Sequence, residues 1–426
     1  MPSLGKTAAI AAVIVVLALV ASIGIYLAFP STITGGGDSG EVTLKVGVIL
    51  SQSGQLAHGG SLMVKGAKLK ADEVNAAGGF KMGAKTAKID LVIEDDMTSA
   101  VQGNLAAHKL VNVDKVQAIV GDTGSSICLS INEITEKAKV PTVSPSCTSP
   151  KLSLEPWIFR TVGSDILQGE ALVDTVIAMK TAGVTGAKIA LMSIHNAYGD
   201  GVREVVLDKA AKKGLQVIFD ERFLENQVDY DSQVASLKSA KDAQAPGETI
   251  TVVYVSYPED AITFFGTVGK LGLTAANGYR WLGTDGIADS DVFTTNTNIN
   301  SIIQGVYATN PLPKPGDATH EKFKQAFLAK YGERPTAYAA TAYDAMGVII
   351  AAIEKAGVYE GEKIKEAMNS LTGAAAYQGV SGVKDFDSSG DIRSQTYQIY
   401  KVVGTAFVAT GGWWEDPATG VQGFTP

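Results

Sequence analysis

The sequence predicts an α/β protein, two doubly wound parallel-sheet units in series, behind a single N-terminal transmembrane helix. Three observations predict it. From residue 42 onward, short runs rich in valine and isoleucine alternate with segments of helical period. Such alternation makes parallel sheets covered by helices on both faces. The alternation restarts after Phe159-Arg160-Thr161-Val162-Gly163, which divides the body in two. An uncharged apolar run, residues 7–29, comes before both units and is followed by Thr34-Gly35-Gly36-Gly37-Asp38-Ser39-Gly40.

The apolar run assigns residues 1–6 to a cytoplasmic N-terminus, 7–29 to a membrane anchor and 30–41 to a flexible tether. At ~1.5 Å rise per residue, ~20 apolar residues match the ~30 Å hydrocarbon core of a bilayer. Lys6 and the amino terminus precede the run, while Asp38 and Glu41 follow it. Positive flanks stay inside, so the body is expected on the extracellular side of the cell membrane, attached by one pass. A cleaved signal peptide is the rival reading. Its apolar region is usually ~7–15 residues long and ends at a small-x-small site; this run is longer and has no clean site of that kind near its end. The only cysteines, Cys128 and Cys147, are too far away to carry a lipid there.

The elements of the first unit follow in order. Residues 42–50 read as a strand ending at Ser51-Gln52-Ser53-Gly54. Residues 61–77 read as a helix, with Met63, Ala67, Ala71 and Val74 on one face and the glycines Gly78-Gly79 closing it. Strand 88–95, helix 101–111, strand 116–121, helix 126–139 and strand 141–146 complete the unit. The second unit carries strand 188–194, helix 200–213, strand 215–223, helix 230–240 and strand 249–256. Shorter extended pieces follow at 280–285 and 305–310. Two late helices, 319–331 and 337–357, can return to either unit. Residues 409–426, glycine-rich with Trp413 and Trp414, are either packed or disordered.

Composition excludes several functions. Forty-four acids against 36 bases give a net charge of −8, which argues against a nucleic-acid partner. His58, His108, His195 and His320 lack the spacing of a metal site. Gly121-Asp122-Thr123-Gly124 is neither a dinucleotide fingerprint nor a phosphate loop, so no cofactor is expected. No Gly-x-Ser-x-Gly elbow with a histidine partner marks a hydrolase. Catalysis is not expected. A bond between Cys128 and Cys147 would close a loop of about 20 residues, worth ~3 kcal/mol on a chain-entropy argument. An oxidising compartment favours that bond, and two buried free thiols are the alternative.

In open α/β sheets, ligands bind beyond the carboxyl ends of the strands. In the first unit those ends carry Ser51 and Ser53, Gly121-Asp122-Thr123-Gly124-Ser125-Ser126, and Ser144-Pro145-Ser146-Cys147-Thr148. In the second they carry His195-Asn196-Ala197-Tyr198-Gly199, Ser256-Tyr257-Pro258-Glu259 and Gly283-Thr284-Asp285-Gly286. Hydroxyls and backbone amides on one side, tyrosines and an acid on the other, suit a ligand with an anionic end and a cationic end.

A set of ordered landmarks carries a family resemblance. They are Ser53-Gly54, Gly66-Ala67 through Asn75-Ala76-Ala77-Gly78-Gly79, Ser144-Pro145, Phe159-Arg160-Thr161, Ala197-Tyr198-Gly199, Asp229-Tyr230 and Phe386-Asp387-Ser388-Ser389-Gly390-Asp391. From about Leu44 to Phe407 the chain resembles the extracytoplasmic solute-binding proteins of branched-chain amino acid ABC transporters, the leucine/isoleucine/valine-binding type. The resemblance implies a type 1 periplasmic binding protein clamshell, two lobes joined by three hinge crossings. Lobe one would be 42–161 plus 311–383, lobe two 165–306 plus 385–408, and 409–426 a C-terminal tail. Ligand would bind between the lobes and be trapped by hinge closure.

The resemblance also implies roles for residues. Ser126, with backbone amides near Ser125, matches the site of the ligand carboxylate, at a helix start with free N–H donors; an ordinary N-cap serine is the plainer reading. Cys147 and Thr148 match a loop whose carbonyl receives the ligand ammonium and whose threonine adds a hydroxyl. Asp285 matches an acid that pairs with the ammonium, against a plain turn aspartate. Tyr198 and Tyr257 match tyrosines that line the pocket, against core tyrosines. Gly59 stands where leucine binders carry a tryptophan, and Cys147 replaces a small residue, so branched-chain specificity is open. The expected function is a tethered solute receptor that delivers an amino acid to ABC permease subunits. A urea or short-amide binder of the same fold, or a surface sensory or envelope protein retaining it, are the alternatives.

Overall fold

The computed structural model describes residues 40–426. The expected anchor, and the tether up to Ser39, lie outside the described residues. Glu41, expected in the tether, opens the first strand. Among the described residues no helix is long and apolar enough to cross a membrane.

Two separate sheets form the two lobes. The first has the order β2-β3-β1-β4-β5-β6, with β1 Glu41–Ile49, β2 Phe80–Met82, β3 Lys85–Glu94, β4 Ile119–Gly121, β5 Thr142–Ser144 and β6 Ile158–Arg160. All its pairings are parallel except β2 with β3, a hairpin that was not expected. The second sheet has the order β16-β15-β14-β11-β10-β9-β7-β8. Here β7 Lys188–Ile194, β8 Gln216–Phe223, β9 Ile250–Val255, β10 Tyr279–Gly283 and β11 Tyr307–Asn310 run parallel. A small two-stranded ribbon, β12 Tyr377–Gly379 with β13 Gly382–Lys384, lies apart. Every residue of β9 is buried, as helices on both faces require, and its unbroken apolar run made it readable as a strand.

The chain passes between the sheets three times: after β6, after β11, and between Ile392 and β14 Tyr397–Val403. Two segments pack differently from expectation. Residues 385–392, expected in lobe two, belong to lobe one, where Phe386 and Ile392 join the core that Val46, Val48 and Phe159 form. Residues 409–426 are not a tail. Residues 409–414 belong to β15 Ala406–Trp414, which pairs antiparallel with β14, and β16 Val421–Gln422 pairs antiparallel with β15, so both extend lobe two's sheet. Trp414 is fully buried there and its Nε1 donates to Asp174 at 2.9 Å. The late helices Ala318–Tyr331 and Ala337–Ala356 return to lobe one. The second of these lies against the helix Ala57–Ala76 so closely that a Cβ at Gly66 would sit 2.1 Å from the Ala339 carbonyl oxygen.

Cys128 and Cys147 are bonded, with an S–S distance of 2.02 Å and Cα atoms 6.6 Å apart. The bridge joins the helix Ser125–Lys137 to the loop after β5, packed against Leu152 and Ile158.

Candidate functional site

The carboxyl ends of both sheets face one cavity between the lobes. Its open space is about 840 Å³, solvent at the mouth included. Ser125, Thr148, Tyr198, Tyr257 and Asp285 all line it.

On lobe one, the helix Ser125–Lys137 starts directly after β4, and Gly124 at its N-cap has extended backbone. The Gly124 carbonyl already accepts from Ile127 and Cys128 N–H. Among the described residues, the N–H groups of Ser125 and Ser126 have no protein acceptor, and they stand at the positive end of the helix. Ser125 Oγ accepts from the N–H groups of Thr148 and Ser149, both at 3.2 Å, so its own proton is free to donate into the cavity. Arg160 fixes the Thr148 loop from behind. It is fully buried, and its Nη1 donates to the carbonyls of Thr148 at 2.9 Å and Ser149 at 2.8 Å. Its Nε donates to Asp391 at 2.7 Å.

On lobe two, Asn196 caps the helix Ala197–Lys212 by accepting from Tyr198 N–H at 3.0 Å and Gly199 N–H at 2.9 Å. That places Tyr198 in the first turn, stacked on Tyr257 with ring centroids 5.7 Å apart. Asp285 follows β10 and is 2% exposed. Its carboxylate accepts from Tyr198 Oη at 2.7 Å and from Tyr338 Oη, which reaches it from lobe one. Gly286 is required beside it, because a Cβ there would lie 2.3 Å from the Ser256 carbonyl oxygen. Burial raises Asp285 above the usual carboxylate range, and the two phenols oppose that rise.

Two further buried acids adjoin the cavity. Asp165 is fully buried and both its carboxyl oxygens lack a hydrogen-bond partner; burial, and then the charge of Asp285, push it well up. Asp122 lies under the Thr123 loop and accepts from Gly124 N–H at 3.3 Å. Burial, and then the charge of the neighbouring Asp96, push Asp122 well up.

Three of the expected site residues are elsewhere. Ser53 Oγ donates to Asp95 at 2.6 Å, fixing a loop and not the cavity wall. Ser126 Oγ accepts from Ala197 N–H at 3.2 Å, across the cleft. Adjacent helical residues point ~100° apart, so Ser125 faces the cavity while Ser126 faces lobe two. Cys147 is fully buried in the disulfide, and its carbonyl, expected to meet an ammonium, faces Arg160 Nη1 at 3.5 Å. Sequence reasoning placed Thr123 at a strand end but gave it no role, and missed Tyr338 and Asn310 in the lining. Thr123 and Asn310 sit at strand ends and were open to the same rule; Tyr338 sits in a helical first turn, which carried no signal.

The fold has known counterparts. A leucine-, isoleucine-, valine-, threonine- and alanine-binding protein of Pseudomonas aeruginosa is 27% identical over 363 residues, 84% of this chain and 90% of that protein. A leucine-binding protein of Thermotoga maritima superposes with a TM-score of 0.74 at 24% identity, covering 86% of this chain and 97% of the other. A solute-binding protein of an R. palustris ABC transporter, solved with benzoate, superposes with a TM-score of 0.71 at 21% identity, covering 86% and 95%. At such identity the structures speak for the fold alone, and their ligands differ. Two lobes on parallel sheets, a cavity where the strands end, and a match of residues 43–406 to the periplasmic binding protein family together establish that the chain belongs to that family.

Proposed function

We propose that this protein is an extracytoplasmic receptor that takes an amino acid between its lobes and delivers it to the permease of an ABC importer. One observation carries the reading: Asp285 and the Ser125 helix end face one cavity from opposite lobes. A carboxylate held by two phenols suits an ammonium. Free N–H groups at a helix N-terminus suit a carboxylate. The two poles fit a zwitterion, and amino acids are what the Pseudomonas aeruginosa relative is named for binding. In this reading Ser125 and Thr148 hold the carboxylate, Asp285 the ammonium, and Tyr198 and Tyr257 cover the side chain. In this reading the apolar run 7–29 tethers the body to the membrane, which keeps it close to a permease.

Calorimetry on the full-length chain in mild detergent tests this, against aliphatic, polar and basic amino acids, urea and acetamide. At least one amino acid is expected to bind, and Asp285→Ala is expected to weaken it by roughly 100-fold, ~3 kcal/mol. Binding of no amino acid sinks the proposal. Equal binding by Asp285→Ala removes the ammonium assignment.

A further inference from the structure

The cavity carries charge that an aliphatic ligand would leave unanswered. Among the described residues its lining holds three carboxyl side chains, Glu259, Asp285 and Asp289, one imidazole, His58, and no lysine or arginine. Asp285 has its phenols and, in the proposed function, the ligand ammonium. Asp289 has neither. It stands in the left-handed backbone region, φ 59°, which is uncommon for a residue bearing a side chain. The nearest cation, Arg334, is engaged by Asp291 at 3.1 Å. Burial pushes Asp289 up to about 7.

Other unsatisfied groups share the wall. Glu259 Oε2 is buried without a partner in the first turn of the helix Pro258–Leu271. Gln55 gives its Nε2 to the adjacent Asp260 and leaves its Oε1 buried and unpartnered. Asn310, 2% exposed, leaves its Nδ2 without a partner. The pairing of Gly283 with Ala308 sets Asn310 alongside Asp285. At Gly59, which lines the wall with Asp289, an added Cβ would meet nothing within 4 Å. The wall therefore has room for a long side chain and, in Glu259 Oε2 and Gln55 Oε1, acceptors for its donors; Asn310 Nδ2 is itself a donor and adds nothing to that set.

We propose that the ligand is a cationic amino acid, whose side-chain ammonium or guanidinium is received by Asp289 with help from Glu259. The inference rests on the proposed function and deepens it. A branched aliphatic side chain would bury both carboxyls against hydrocarbon, where an unpaired charge is strongly disfavoured. A guanidinium or ammonium supplies several N–H donors to just such acceptors.

The test is calorimetry of the full-length chain in mild detergent with arginine, lysine and ornithine against leucine, isoleucine and valine. A basic amino acid is expected to bind about tenfold or more tightly than leucine, a margin of the size a charge-assisted hydrogen bond gives. Asp289→Asn is expected to remove that margin, bringing the basic amino acids to the affinity the same variant has for leucine. Glu259→Gln is expected to remove part of it. Melting temperatures verify that each variant folds, and the wild-type preference decides the matter even if one does not. If leucine binds as tightly as the basic amino acids, this inference falls and the proposed function stands. If no amino acid binds, both fall.

Discussion

The two lobes hold one cavity by opposite means. Lobe one presents the hydroxyls of Thr123, Ser125, Ser146 and Thr148 beside a helix N-terminus, all neutral. Lobe two presents Glu259, Asp285 and Asp289 with the stacked rings of Tyr198 and Tyr257. Their supports differ in the same sense. Lobe one's donors point correctly only if the Thr148 loop is rigid, and two ties out of the ligand's reach hold it: the Cys128–Cys147 bridge and the Arg160 clasp on Asp391. In lobe two, Asp289 and Glu259 have no lysine or arginine beside them in the cavity lining, and Arg334, which adjoins Asp289 outside it, is engaged by Asp291. A lobe that binds through backbone geometry must be built complete. A lobe that binds through charge can leave its counter-ion to the ligand.

Breaking the clasp should give the largest effect. Arg160→Met removes the cation and leaves Asp391, 8% exposed, unpaired. Loss of one partner of a buried pair typically costs ~3–5 kcal/mol, so the denaturation midpoint should fall accordingly. Amino-acid affinity should fall with it, because Thr148 loses its support. A variant as stable as the parent would mean that the loop holds itself. The disulfide comes next. Cys128→Ala with Cys147→Ala opens a loop of sequence separation 19, and should cost ~3 kcal/mol, read by chemical denaturation of parent and variant. Affinity per folded molecule should fall less than in Arg160→Met, since the clasp remains. If affinity collapses instead, the bridge and not the arginine shapes the cradle.

What the sequence made legible follows from how each element is stabilised. The central strands are buried on both faces and read as unbroken apolar runs, as β9 shows. The hairpin strand Phe80–Met82 is three residues long, too short for any period to register. The strand Ala406–Trp414 was hidden by Gly411 and Gly412, which weaken the pattern, although Trp414 is its buried anchor. In the site, residues at strand ends were findable because the topology puts them there, and Thr148, Tyr198, Tyr257 and Asp285 all line the cavity. Tyr338 was not, since its contact with Asp285 joins a helix start to a residue 53 positions away. Choosing between Ser125 and Ser126 needed the helix phase, and that depends on where the first turn begins.

The smallest effect separates the lobes by their protons. Asp289 rises from its ordinary 3.8 to about 7 in the folded protein, through burial. Between those values the folded state keeps a proton that the unfolded chain has released. Stability therefore falls as pH rises through the window and levels off above it, with a slope of at most ~1.4 kcal/mol per pH unit for one group. Asp122, Asp165 and Asp285 are raised too and act in the same direction. Melting temperatures of the ligand-free protein from pH 5 to 8 should decline, and Asp289→Asn should decline less steeply; equal slopes would show that Asp289 is an ordinary acid. In lobe one, Asp122 and Asp96 are raised as well, burial first in each, but neither lines the cavity. Asp289 does, so a cationic ligand would displace its proton. The melting-temperature gain from such a ligand should then grow as pH rises toward and past 7, while the gain from leucine should not.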